Sequence, residues 1–241
     1  MPSPRPLPVA DTPEAPLDCD LCPRLVDYRK SNQADHPDWF NAPVPSFGPE
    51  TARFLIIGLA PGVRGANRTG RPFTGDWAGD LLYATLDHFG LSRGTYDSHA
   101  GDGLTLPDTM ITNAVRCVPP ENKPVGAEAN ACRPFLSRRL AALPKLKAVL
   151  CLGKISHDNT LRALGLPLKT AVFAHGAATD VSGPNGVVRL FDSYHCSRYN
   201  TNTGRLTESM FHDVFRDICA YLDSADTSHD RTAPSGAASP S

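Results

Sequence analysis

A mainly parallel β-sheet sandwiched between helices is the fold class this chain's sequence predicts, and three observations predict it. Short apolar runs at 53–58, 109–115, 147–152 and 187–193 read as strands. Helical spacing fills 76–89, 127–142, 155–164 and 207–222, so strands and helices alternate, and that alternation favours parallel pairing. At 241 residues the chain is long enough for one sizeable core.

In chain order, residues 1–16 are proline-rich and polar and are expected to be disordered. The folded domain is expected over 17–223, and 224–241 (SADTSHDRTAPSGAASPS) is small, polar and breaker-rich, a second disordered tail. No internal repeat is present. The first strand, RFLIIG, runs directly into the block GLAPGVRGANRTGRPFTGDWAG from Gly58 to Gly79. A strand, a glycine-rich turn and a helix point backbone amides and a helix N-terminus at an anion. Arg53, Arg64, Arg68 and Arg71 lie between Thr51 and Gly75 with no acid among them, so the segment suits a negatively charged ligand. It is not a Walker loop, since no Gly-Lys-Ser/Thr closes it, and its glycine spacing does not fit a dinucleotide fingerprint. The helix 76–89 places Trp77, Leu81, Tyr83, Leu86 and Phe89 roughly on one side and stops at Gly90. The last helix starts at Thr207, an acceptable N-cap, and carries Met210, Phe211, Val214, Ile218 and Tyr221. In open sheets, sites form at the carboxyl ends of strands. The loops after 53–58, 109–115 and 187–193 should therefore meet on one rim.

Composition narrows the choices further. The formal net charge is -1, so any case for nucleic-acid binding must be local. No run approaches the roughly 18 apolar residues of a membrane span, and MPSPRPLPVADTPEAP has no apolar signal region. A cytoplasmic location follows as the expectation, and there seven cysteines favour metal binding or burial over disulfides. Cys19 and Cys22 form a C-x-x-C pair; Cys117 and Cys132 lie downstream with 14 residues between them. Such a set can hold tetrathiolate zinc or a [4Fe–4S] cluster, and the residues alone leave that choice open. Cys151 and Cys219 read as core, and Cys196 is unassigned.

Four segments, taken together and in order, resemble the uracil-DNA glycosylase superfamily and most closely its iron–sulfur family five, the b-type enzymes. They are GLAPG followed by NRTGRPFTGD, then TNAVRCVPPENKP, then SYHCSRYNTNTGRLT, and the cysteines Cys19, Cys22, Cys117 and Cys132. The likeness spans roughly residues 17 to 222. It implies a three-layer α/β/α sandwich on a short parallel sheet, a [4Fe–4S] cluster on those cysteines, and excision of uracil from DNA. Hypoxanthine and xanthine are further expected substrates, and the expected state is a monomer acting on DNA.

The resemblance also assigns roles, each beside a plainer reading. A glycosylase flips its base into a pocket. Phe73 would be the ring on which the base stacks, or simply a core aromatic. Asn113 would recognise the base edge through its amide, or end a strand. Asp76 would position the attacking water, or only cap the helix it opens. His195 would hydrogen-bond the negative charge developing on the base, or be structural. Gly58 and Gly62 would line the substrate pocket, the latter offering its backbone amide. Arg64, Arg68, Arg71, Ser197, Arg198 and Asn200 would contact DNA. Family-four enzymes read GEAPG where this chain has Leu59, so the water-handling acid cannot be there and more weight falls on Asp76. No lysine sits in these motifs as a Schiff-base nucleophile, so a monofunctional hydrolase is expected. The alternatives are a catalytically silent iron–sulfur lesion-binding module and a uracil-only enzyme of the family-four kind.

Overall fold

The computed structural model describes residues 12–230. Of the tails expected at 1–16 and 224–241, residues 1–11 and 231–241 lie outside the described residues. The described chain forms α1 (Pro23–Asp35), β1 (Phe54–Gly58), α2 (Ala66–Thr69), α3 (Trp77–His88), β2 (Thr109–Asn113), α4 (Gly126–Ala141), β3 (Ala148–Leu152), α5 (Lys154–Ala163), β4 (Ala178–Gly183), β5 (Gly186–Ser193), α6 (Arg198–Asn202) and α7 (Glu208–Asp230). The strands join in one sheet of order β2-β1-β3-β5-β4. Every pairing is parallel except β4 with β5.

The predicted sandwich is present, and side-chain alternation along buried strands builds it. On one face Phe54, Ile56, Ile111 and Leu150 pack against α3 and α7 through Leu82, Leu86, Phe211 and Phe215. On the other, Leu55, Ile57, Met110 and Val149 meet α4 and α5 through Leu136, Leu140 and Leu161. A third, smaller cluster joins Leu25 of α1 to Val115, Cys117, Cys132 and Phe135. Register sets the rim: Gly58 lies beside Asn113, Ile57 beside Cys151, and Cys151 beside Asp192. The carboxyl ends of β1, β2 and β5 therefore reach one edge of the sheet.

Four elements escape the sequence reading: α1, β4 and the short helices α2 and α6. In α1 the side chains are polar nearly all round and only Leu25, Arg29 and Asn32 are buried, so no apolar stripe marks it. β4 is an antiparallel edge strand with a single buried residue, Val181, and lacks an apolar run. The described chain also extends past 17–223 at both ends. Glu14 accepts hydrogen bonds from the Arg116 and Arg139 guanidiniums, which fixes the segment just before Cys19. At the other end α7 continues to Asp230. No described helix is long and apolar enough to cross a membrane.

Candidate active site and thiol cavity

The three rim loops enclose one cavity of about 370 Å³. Gly62, Phe73, Asp76, Asn113, His195, Ser197 and Arg198 all line it, drawn from four separate segments of the chain. Gly58 stands just behind the lining. A Cβ there would lie 2.6 Å from the Phe73 ring and overlap Asn113 Oδ1, so glycine lets both side chains close in on β1. Phe73 holds φ +53°, in the left-handed region that bulky residues avoid. Backbone strain of that kind concentrates at functional sites. The ring is 7% exposed and packs into the core while facing the cavity, so the two readings of Phe73 are compatible. Its centroid is 5.9 Å from that of His195.

Asp76 is both N-cap and cavity wall. Its Oδ1 accepts from the Gly79 N–H at 3.1 Å, while a Cβ at Gly62 would come within 3.0 Å of its Oδ2. Gly62 and Gly65 thus make room for the second oxygen. Burial raises the pKa of the carboxyl, with Asp80 adding repulsion, and the amides of Gly79 and Ala78 oppose the rise. Burial alone pushes the His195 imidazole down to about 4, so the ring is neutral at pH 7. Its backbone is held by the Asn200 side chain, which donates to the His195 carbonyl at 2.8 Å. Asn113 is 3% exposed at the end of β2 and lines the cavity.

Several expected DNA contacts are rearranged. Arg71 is a correction: it is 4% exposed, bidentate to Asp102 at 2.7 and 2.6 Å, and its guanidinium lies 5.1 Å from the centre of the Phe47 ring. It staples the loop through Asp102, whose carboxyl it holds well below the usual range, and it cannot reach a phosphate. Arg64, just before α2, and Arg68, within it, are exposed, the latter donating to the Arg64 carbonyl at 2.8 Å. Ser197 lines the cavity and also caps α6. Asn200 stands behind His195 and is absent from the lining.

Among the lining residues that sequence reasoning missed, two carry polar or aromatic groups able to act on a ligand. Asn122 reaches the cavity from the turn after Cys117 and, like Phe73, sits at positive φ (57°). The motif quoted above contains it, but nothing in PPEN says which side chain turns inward. Trp77, expected on the buried stripe of α3, is 49% exposed at the mouth. Its Nε1 donates to Thr201 and the Arg198 guanidinium lies 5.7 Å from its ring. Being first in the helix, it precedes the turn that docks on the sheet.

Cys19, Cys22, Cys117 and Cys132 line a second, enclosed cavity whose other walls include Leu25, Val26, Val115 and Phe135. Cys132 Sγ accepts the Arg116 backbone N–H at 3.3 Å. Among the described residues no three His, Cys, Asp or Glu side chains converge on a single ion position. One tetrahedral ion would draw its thiolates to about 3.8 Å from each other, since each metal–sulfur bond is about 2.3 Å. A cluster with each thiolate on its own iron keeps them wider apart. Four thiols around one apolar void, with a backbone donor aimed at a sulfur, fit such a cluster. Burial pushes the Cys22 thiol to about 11 and Cys117 to about 12, so binding would release their protons. Cys151 and Cys196 are fully buried elsewhere, and Cys219 is half-buried.

Comparison with known proteins decides the family. The model of the Uracil DNA glycosylase superfamily matches residues 45–219. A type-5 uracil-DNA glycosylase of Thermus thermophilus is 45% identical over 202 residues, covering 81% of this chain and 90% of its own. The chain belongs to the uracil-DNA glycosylase superfamily, in its type-5 branch. A type-5 enzyme of Mycobacterium leprae is 42% identical over 208 residues, 83% of this chain and 89% of its own. One of Mycobacterium bovis is 41% identical over 210 residues, 83% of this chain and 76% of its own. The superfamily match begins at residue 45 and so leaves out Cys19 and Cys22, whereas Cys117 and Cys132 fall inside it.

Proposed function

We propose that this chain is a monofunctional DNA glycosylase that excises uracil, and with it hypoxanthine and xanthine, leaving an abasic site. One observation carries the proposal: a stacking ring, a base-reading amide, a neutral imidazole and a carboxylate face a single cavity of about 370 Å³. A flipped base stacks on Phe73 and presents its edge to the Asn113 amide. As the C1′–N bond breaks, its electron pair leaves with the base, and the N–H of neutral His195 stabilises the resulting negative charge. Being neutral at pH 7, His195 carries no imidazolium proton to transfer and serves as a hydrogen-bond donor through its N–H. Asp76 holds water on the opposite side of the sugar; the water oxygen bonds C1′ while its proton passes to the carboxylate or solvent. Asn122 supplies a second amide at the same cavity. No lysine is among the lining residues, which supports hydrolysis without a Schiff base.

Arg64, Arg68, Arg198 and Ser197 supply the phosphate contacts, so affinity falls with salt. Cys19, Cys22, Cys117 and Cys132 hold a [4Fe–4S] cluster, which supplies structural cross-linking between the segment before α1 and the body. The protein acts as a monomer in the cytoplasm. Purified protein incubated with single-uracil duplex should yield alkali-labile sites at uracil. Retained lesion binding without any cleavage would mark a silent binding module instead. A colourless protein without iron would remove the cluster.

A further inference from the structure

We infer that Glu14 is an ionic latch for the thiol cavity: its carboxylate, gripping Arg116 and Arg139, holds the arm carrying Cys19 and Cys22 against the wall carrying Cys117 and Cys132, and so governs how firmly a cluster is retained. The inference rests on the reading of those cysteines as cluster ligands.

The arm is short. Ala15, directly after Glu14, already lines the thiol cavity, and the chain turns at Pro16–Cys19 before α1 begins beyond Cys22. Downstream the arm is tied by Arg24, bidentate to Glu128 of α4 at 2.8 and 3.1 Å and donating to the Lys123 carbonyl at 3.0 Å, with its side chain 42% exposed to competing water. Arg29 donates to the Leu17 and Cys19 carbonyls, which stiffens the arm without fastening it to the opposite wall. Upstream the fastening is the Glu14 carboxylate, beside a longer bond in which the Pro13 carbonyl accepts from Arg116 Nη2 at 3.4 Å. One oxygen accepts from Arg116 Nη1 at 3.1 Å and from the Ser46 N–H at 3.1 Å; the other accepts from Arg139 Nη2 at 2.5 Å.

Both cations are nearly sealed from water, at 1% and 2% side-chain exposure. Arg139 has a second acid, Glu50, at 2.5 Å. Among the described residues Glu14 is the acid that pairs with Arg116. Arg116 precedes Cys117, and its backbone N–H is the donor to Cys132. Loss of the Glu14 charge would thus free the arm and leave a buried cation uncompensated between two ligands. Partners that orient ligating groups typically change metal retention about 10- to 100-fold when removed. Glu14 is a positioning residue in this sense, since it touches no cluster atom.

The experiment uses full-length holoprotein: wild type, Glu14→Gln and Glu50→Gln. Iron and acid-labile sulfide are assayed first. The rate of loss of the visible iron–sulfur absorbance after adding a chelator is then compared with the unfolding rate by far-ultraviolet circular dichroism. Glu14→Gln should bleach about 10- to 100-fold faster than wild type, well ahead of its own unfolding, while Glu50→Gln bleaches at the wild-type rate. Bleaching of Glu14→Gln at the wild-type rate, or only as fast as it unfolds, overturns the latch. If Glu14→Gln does not fold, Glu14→Asp decides: faster bleaching supports the latch and an unchanged rate refutes it. Wild-type protein without iron or sulfide defeats the cluster reading itself, which is a different failure.

Discussion

Asp76 is both N-cap and cavity wall, and substitution separates its proposed catalytic role from the cap. Asn caps helices about as well as Asp, so Asp76→Asn should leave the melting temperature nearly unchanged while excision falls about 10²-fold or more. Asp76→Ala should lose the activity and also about 1 kcal/mol from the cap. If Asp76→Asn retains full excision, the carboxylate is only a cap. The pH profile is a second test at this scale. Burial raises the Asp76 pKa, so the reactive carboxylate is lost on acidification at a higher pH than for an exposed Asp. His195, pushed down to about 4, contributes no inflection near neutrality. Single-turnover rates should therefore show one acidic limb. An added break near pH 6.5, the ordinary histidine value, would contradict the neutral-donor role. Gly58→Ala would press a methyl group into Phe73 and Asn113. Excision should collapse while the protein stays folded, checked by circular dichroism beside the assay.

At the scale of elements, what was legible depended on where the information lies. The four predicted strands are found because parallel strands buried on both faces must be apolar along their length. β4 and α1 bury so little that composition cannot announce them. The site shows the same division. Local motifs brought Phe73, Asp76, Asn113 and His195 to one cavity because each sits at a strand end or in the block after β1. Arg71 looked equivalent to Arg64 and Arg68, and only a partner 31 positions away distinguishes it. Asn122 depends on a left-handed turn whose direction the sequence does not state. The arginines make opposite predictions. Arg71→Ala should cost about 3–5 kcal/mol by stranding buried Asp102, read as a lower melting temperature. Arg64→Ala and Arg68→Ala should leave melting unchanged and each lower the salt slope of DNA binding by about 1.

On the scale of the whole molecule, a chain of net charge -1 binds a polyanion by concentrating its cations. Exposed Arg198 lines the cavity at the carboxyl edge of the sheet, and exposed Arg64 and Arg68 lie in the 58–79 block that supplies much of its wall. The segment from Asn113 to Asn122 links both sites, since its ends face the base cavity and Cys117 in its middle faces the thiol cavity. Removing the cluster with a chelator should therefore loosen the base cavity as well as the N-terminal arm, seen as faster hydrogen exchange over 113–122. The central claim, that the cavity is a base-excision site, is tested most directly by incubating purified protein with a duplex carrying one uracil and then treating with alkali. The account predicts cleavage at the uracil only after alkali, and none with Asp76→Asn in the same time. A uracil strand that survives alkali intact with wild-type protein would contradict it.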